Sequence, residues 1–182
     1  MKIKFYFLLL AIALITSIGC QRDDICPQTT DTTPLLIIRF YDVEDPEELK
    51  APQNLGINEE GNEEYVFIRN ENNRNQTITF ERFTGDSIAI PLRTDEDITT
   101  FEFTVNNTED GEEEGIKNTD VITFTYGRNE EYINRACAYK VAYVSLKVDL
   151  ENEENGTQWI QDIQIEEPNI EDQNQAHVSI YF

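Results

Sequence analysis

A chain of 182 residues, 39% hydrophobic and 10% aromatic, holds apolar material for one packed domain and is too short for two full ones. Fourteen Lys plus Arg against 36 Asp plus Glu give a formal net charge of −22. That balance excludes a nucleic-acid role, because phosphate binding needs a positive field. Ten Phe and eight Tyr argue against full disorder, while one His and eight Gly leave little for a His-based metal site or a Gly-rich phosphate loop.

The first element is an address. Lys2 and Lys4 precede an unbroken apolar run from Phe5 to Ile15, and small residues follow up to Cys20. A positive start, a short apolar stretch and a small-residue cleavage point describe a secretory signal peptide over residues 1–19. The run falls short of the ~20 apolar residues of a membrane span. Ser17-Ile18-Gly19-Cys20 resembles a bacterial lipobox, with Ser17 where Leu is usual. The resemblance implies a diacylglyceryl thioether and an amide-linked acyl chain on Cys20, and so a peripheral protein held to the membrane through lipid. The rival reading is ordinary secretion, with Cys20 discarded or paired. Removing residues 1–19 takes away two Lys and no acid, moving the charge from −22 to −24. Gln21-Arg22-Asp23-Asp24 looks like the export signal of surface lipoproteins in Bacteroidota; the resemblance implies an outer-membrane location facing the cell surface, and the rival reading is a solvated tether with no sorting content.

Residues 20–34 read as a lipidated tether, rich in Thr before Pro34. If Cys20 is acylated, Cys26 and Cys137 are left, with one pairing open to them in an oxidising compartment. Their bond closes a loop of roughly 110 residues, for which chain entropy suggests about 4–5 kcal/mol. A Cys nucleophile or a metal thiolate is the weaker alternative, because His177 is the lone candidate base and no second ligand sits at a useful spacing.

Residues 35–182 read as one all-β domain. Leu35 to Tyr41 is apolar on both faces at its start, which predicts a strand buried on both sides. Asp45-Pro46-Glu47-Glu48 resembles a helix start that Pro52 cuts to a turn or two. Tyr65–Arg69 and Thr77–Phe83 flank polar residues 70–76 as a hairpin. In Ser87–Arg93, Ile88, Ile90 and Leu92 share a face and Pro91 marks an edge or a bulge. Ile98–Val105 and Val121–Tyr126 alternate, and Ala138–Leu150 sets Ala142, Val144, Leu146, Val148 and Leu150 on one face. Gln158–Glu166 and His177–Phe182 are the last strands. This pattern predicts a single antiparallel β-sandwich, Ig-like, or a small barrel. The ending Val178-Ser179-Ile180-Tyr181-Phe182 also looks like the last strand of an outer-membrane barrel, whose strands need about nine to eleven residues.

Chemical motifs are sparse, and no cofactor or metal is expected. Clustered acids in Glu109–Glu114 suit Ca²⁺, yet the EF-hand spacing is absent and such a run is usually a solvated loop. Carboxylates are too abundant to single out a glycosidase pair. Trp159, Tyr132 and Tyr139 are candidates to stack on a sugar or to complete the core and its rim. His177 reads as a surface or hydrogen-bonded residue rather than a catalyst. Asp31-Thr32-Thr33 and Asp86-Ser87-Ile88 resemble the acceptor of protein O-glycosylation in Bacteroidota, which makes Thr32 and Ser87 candidate acceptors.

Several blocks together are similar to one uncharacterised family of Bacteroidota lipoproteins, a domain of unknown function. They are Cys20, Asp23-Asp24-Ile25-Cys26-Pro27, residues 33–42 (TPLLIIRFYD), Ile90-Pro91-Leu92 and Asn134-Arg135-Ala136-Cys137. Ala138 stands where Gly is expected after the Cys. The resemblance implies a lipoprotein with a β-rich body and brings no activity or functional residue. The leading expectation is a non-enzymatic envelope module that is structural or contacts a protein or glycan partner. The alternative is a cell-envelope hydrolase with carboxylate catalysis.

Overall fold

The computed structural model describes residues 25–27, 29–30, 32–61, 66–71, 74–79, 82–107, 116–151 and 158–182. The leader, Cys20, the Gln21–Asp24 signal, Asp31 and the Glu109–Glu114 loop lie outside them. Ten strands are formed: β1 (Leu36–Tyr41), β2 (Gly56–Glu59), β3 (Val66–Glu71), β4 (Arg74–Thr79), β5 (Ser87–Ile90), β6 (Ile98–Val105), β7 (Asn118–Asn134), β8 (Ala138–Leu150), β9 (Asp162–Ile165) and β10 (Val178–Tyr181). No helix occurs among the described residues.

Two four-stranded sheets, ordered β5-β1-β10-β9 and β2-β6-β7-β8, pack together as the predicted all-β sandwich, and β3 and β4 form a separate hairpin. One core joins the two sheets. Leu36, Ile38 and Phe40 of β1, Ile88 and Ile90 of β5, and Val178 and Ile180 of β10 meet Ile57, Phe101, Phe103, Ile122 and Phe124 of the second sheet. The period of two in these strands sends alternate side chains to the core. On the other face, Thr100 bonds Thr123 and Thr104 bonds Thr119 at 3.0 and 2.8 Å, cross-strand pairs that pin the register of β6 on β7.

Several expectations are corrected. β1 is buried on one face and not on both: Arg39 is exposed and Ile37 half-buried. Its pairing with β10 is parallel, so the sandwich is not wholly antiparallel. No helix starts at Asp45. The chain reverses there through turns, with Glu48 N–H donating to Asp45 O and Asp42 N–H to Glu48 O, and reaches a bridge between Tyr41 and Leu49 too soon for a helix. The hairpin strands extend into the polar residues 70–71 and 74–76, where Glu71 pairs with Arg74. β5 is the sheet edge, as Pro91 indicates, and ends just before it. β10 has four residues, all buried between β1 and β9, unlike a lipid-facing barrel strand.

β8 runs over the predicted residues, but its faces switch. Ser145 takes a left-handed φ of 56°, and the pairing with β7 slips by one residue between Gly127↔Val144 and Thr125↔Lys147. This bulge turns Val141 and Tyr143 into the core before it and Leu146 after it. Ala142 and Val144 therefore lie off the core face assigned to them. β7 is 17 residues long, more than twice the eight of its neighbour β6, so the β7–β8 hairpin overhangs the body.

Candidate functional site

The overhang is pinned at its base by Arg128, whose Nε–H donates to Asp97 and whose guanidinium also donates to Thr94 O, each at 2.6 Å. Beyond it the turn is built by Asn134, whose Oδ1 accepts from the N–H groups of Ala136 and Cys137 at 2.9 and 2.8 Å. A side-chain acceptor two to three residues back is the usual reason an Asn opens a turn. Ala138 then has a φ of 58°. That is the conformation glycine adopts without strain, which accounts for the Gly expected at this place.

The disulfide forms between Cys26 and Cys137, with Cα atoms 4.8 Å apart and 111 residues of separation. The described residues of the N-terminal segment are fastened, not loose. Besides the disulfide, Val141 N–H donates to Thr33 Oγ1 at 2.9 Å, and Cys137 Sγ lies 3.8 Å from Thr30 Oγ1. Pro34 is buried. The segment that follows Cys20 is thereby tied to the turn of the longest hairpin.

Tyr132 and Tyr139 face each other across this hairpin, ring centroids 5.2 Å apart at 62°, 58% and 62% exposed. They lie on the face that is buried further along, at Val141 and Tyr143, and continue it past the end of the body. Glu131 pairs with Lys140 at 3.4 Å on the opposite face. Trp159 is not part of this platform. Its indole N–H donates to Phe103 O at 3.0 Å and its ring packs edge-on to Phe182 at 5.4 Å, so it closes the core.

His177 is buried and structural. Its Nδ1 accepts from Ile37 N–H, and its main-chain N–H donates to Ile37 O, both at 2.9 Å, which locks the start of β10 to β1. Burial lowers its pKa from the ordinary value, against the opposing effects of the Asp172 backbone and of Asp172 and Glu167. It floors a shallow polar hollow also lined by Glu167, Asn169, Glu171, Asp172 and Gln175. Among the described residues no group of three or more His, Cys, Asp or Glu is placed to hold a metal ion. Thr32 is exposed in the N-terminal segment, and Ser87 is exposed at the start of the edge strand β5.

Sequence reasoning found the two cysteines and named the two tyrosines. It missed that they converge on one tip, because residues 127–131 carry no apolar side chain to show that β7 runs on. No curated protein and no solved structure matches the chain. A family model described as a family of unknown function, DUF6452, matches residues 65–182. That stretch contains β3 to β10, including the hairpin tip and Cys137. The chain belongs to this family of unknown function.

Proposed function

We propose that the mature protein is an envelope lipoprotein, anchored in the bacterial outer membrane through acyl chains on Cys20, whose β-sandwich is a non-enzymatic structural or interaction module for a protein or glycan partner. The observation that carries this reading is the Cys26–Cys137 bond, which couples the chain emerging from Cys20 to the folded body only six residues later. A pull on the anchor then acts on the β7–β8 hairpin and its sheet, not on a loose tail. The groups that thiol or imidazole chemistry would recruit are otherwise engaged: Cys26 and Cys137 in the disulfide and His177 in hydrogen bonds to the Ile37 main chain.

Cell fractionation tests the reading. The wild-type protein should sediment with membranes and resist high-salt washing, whereas Cys20→Ser should appear in the soluble fraction. Release of the wild-type protein from membranes by the high-salt wash would contradict it.

A further inference from the structure

Seven large apolar or aromatic side chains are exposed among the described residues, and three of them gather at the braced tip: Tyr132, Tyr139 and Ile25, the last 77% exposed beside Cys26. Six residues of chain reach at most about 20 Å, so the point at which acyl chains leave Cys20 lies within that distance of Cys26. The length of chain outside the described residues thus says what the tip meets. It cannot stand far from the bilayer that holds the anchor.

Charge orients the body the same way. Between Asn129 and Lys140 there are two acids, Glu130 and Glu131, and two bases, Arg135 and Lys140, so the tip is neutral within a strongly acidic protein. The opposite ends of β7 and β8 open into segments 108–115 and 152–157, which carry seven acids and no base. About 50 Å of strand separates the two ends of β7. An anionic surface repels the acidic end and tolerates the neutral one, over a Debye length of about 8 Å at physiological salt.

We propose that Tyr132, Tyr139 and Ile25 form a lipid-interface contact that seats the hairpin tip on the membrane carrying the Cys20 anchor. The inference rests on the lipoprotein reading and adds a contact surface to it. Tyr suits this place because its ring is apolar and its hydroxyl polar, so it settles at headgroup depth. A side chain on a strand that overhangs its own core gains burial there without disturbing the sandwich. The tip is a second, non-covalent foothold, and it fixes the body's orientation, with the acidic end directed outward.

Hydroxyl-radical footprinting with peptide mass spectrometry tests this on the full mature protein. The lipidated form in phosphatidylcholine vesicles is compared with Cys20→Ser in buffer. The reactivity of Tyr132, Tyr139 and Ile25 should fall several-fold in vesicles, while Ile116, 88% exposed near the acidic end, stays unchanged. In the lipidated double variant Tyr132→Ser/Tyr139→Ser, Ile25 should recover toward its reactivity in buffer. Equal tyrosine reactivity in both states, with acyl mass verified on Cys20, overturns the contact and leaves the anchor standing. Absence of acyl mass overturns the anchor and the contact together. Protection of the tyrosines in buffer that grows with protein concentration identifies a second copy of the chain as the occupant and also overturns the proposal.

Discussion

Removing the Cys26–Cys137 bond should lower the stability of the domain by an amount set by the loop it closes. With 111 residues of separation, the chain-entropy relation predicts a loss of about 5 kcal/mol at 25 °C, because the unfolded chain regains the freedom that the cross-link denied it. The native geometry has little reason to change on its own account, since Asn134 builds the turn and Thr33 still holds Val141. For a domain of this size about 5 kcal/mol corresponds to a fall in Tm on the order of 10 °C or more. The assay is thermal unfolding followed by circular dichroism of Cys26→Ser/Cys137→Ser, with the oxidised and reduced parent alongside. The variant and the reduced parent should melt together, well below the oxidised protein. A double variant melting within about 2 °C of the oxidised parent would refute the loop-closure argument, since it amounts to at most about 1 kcal/mol.

Three further outcomes follow from local features. Ala138→Gly and Ser145→Gly should each stabilise the protein by about 1 kcal/mol in denaturant unfolding, because both residues hold a positive φ that costs an L side chain about that much; a loss of stability at both would contradict the backbone assignment. The single His makes a proton titration by NMR unambiguous. His177 should titrate below its ordinary 6.5, so its contribution to stability is present above about pH 6.5 and is lost as pH falls through the lowered value, whereas a midpoint above 6.5 would remove the buried acceptor role. The Tyr126 hydroxyl is pushed up to about 12 by burial, its bonds to Thr99 and Arg93 O notwithstanding. Its contribution is full below pH 10 and fades as pH rises toward 12, so Tyr126→Phe should cost about 1–2 kcal/mol at neutral pH and flatten the alkaline decline; an unchanged decline would contradict this.

The parts of the fold legible in the sequence are those where one face packs on the core. Ile122, Phe124 and Tyr126 alternate with Thr123 and Thr125 because β7 is covered on one side there, and the bounds of β8 follow from the apolar residues that recur along it. The bulge at Ser145 was not legible, because serine carries no preference for positive φ and the apolar residues on either side fit an unbroken strand equally well. The overhang of β7 was hidden for the opposite reason: Asn129 to Glu131 are polar on both faces and exposed, so no apolar alternation marks the strand there. The parallel pairing of β1 with β10 joins residues about 140 apart, and the His177–Ile37 bonds that fix it have no local signature. At the candidate site the cysteines could be paired by elimination, and Tyr132 and Tyr139 could be named. That the pairing brings those tyrosines to the end braced by Cys26 depends on the hairpin register.

One segment carries both the proposed anchor at Cys20 and the brace at Cys26. Mass spectrometry of the native, mature protein after digestion without reduction measures both at once. The predicted species is a single cross-linked pair in which a peptide beginning at Cys20 bears acyl mass and is bonded through Cys26 to the peptide containing Cys137. A peptide with an unmodified Cys20, or with Cys26 and Cys137 both free to alkylation, would contradict the account.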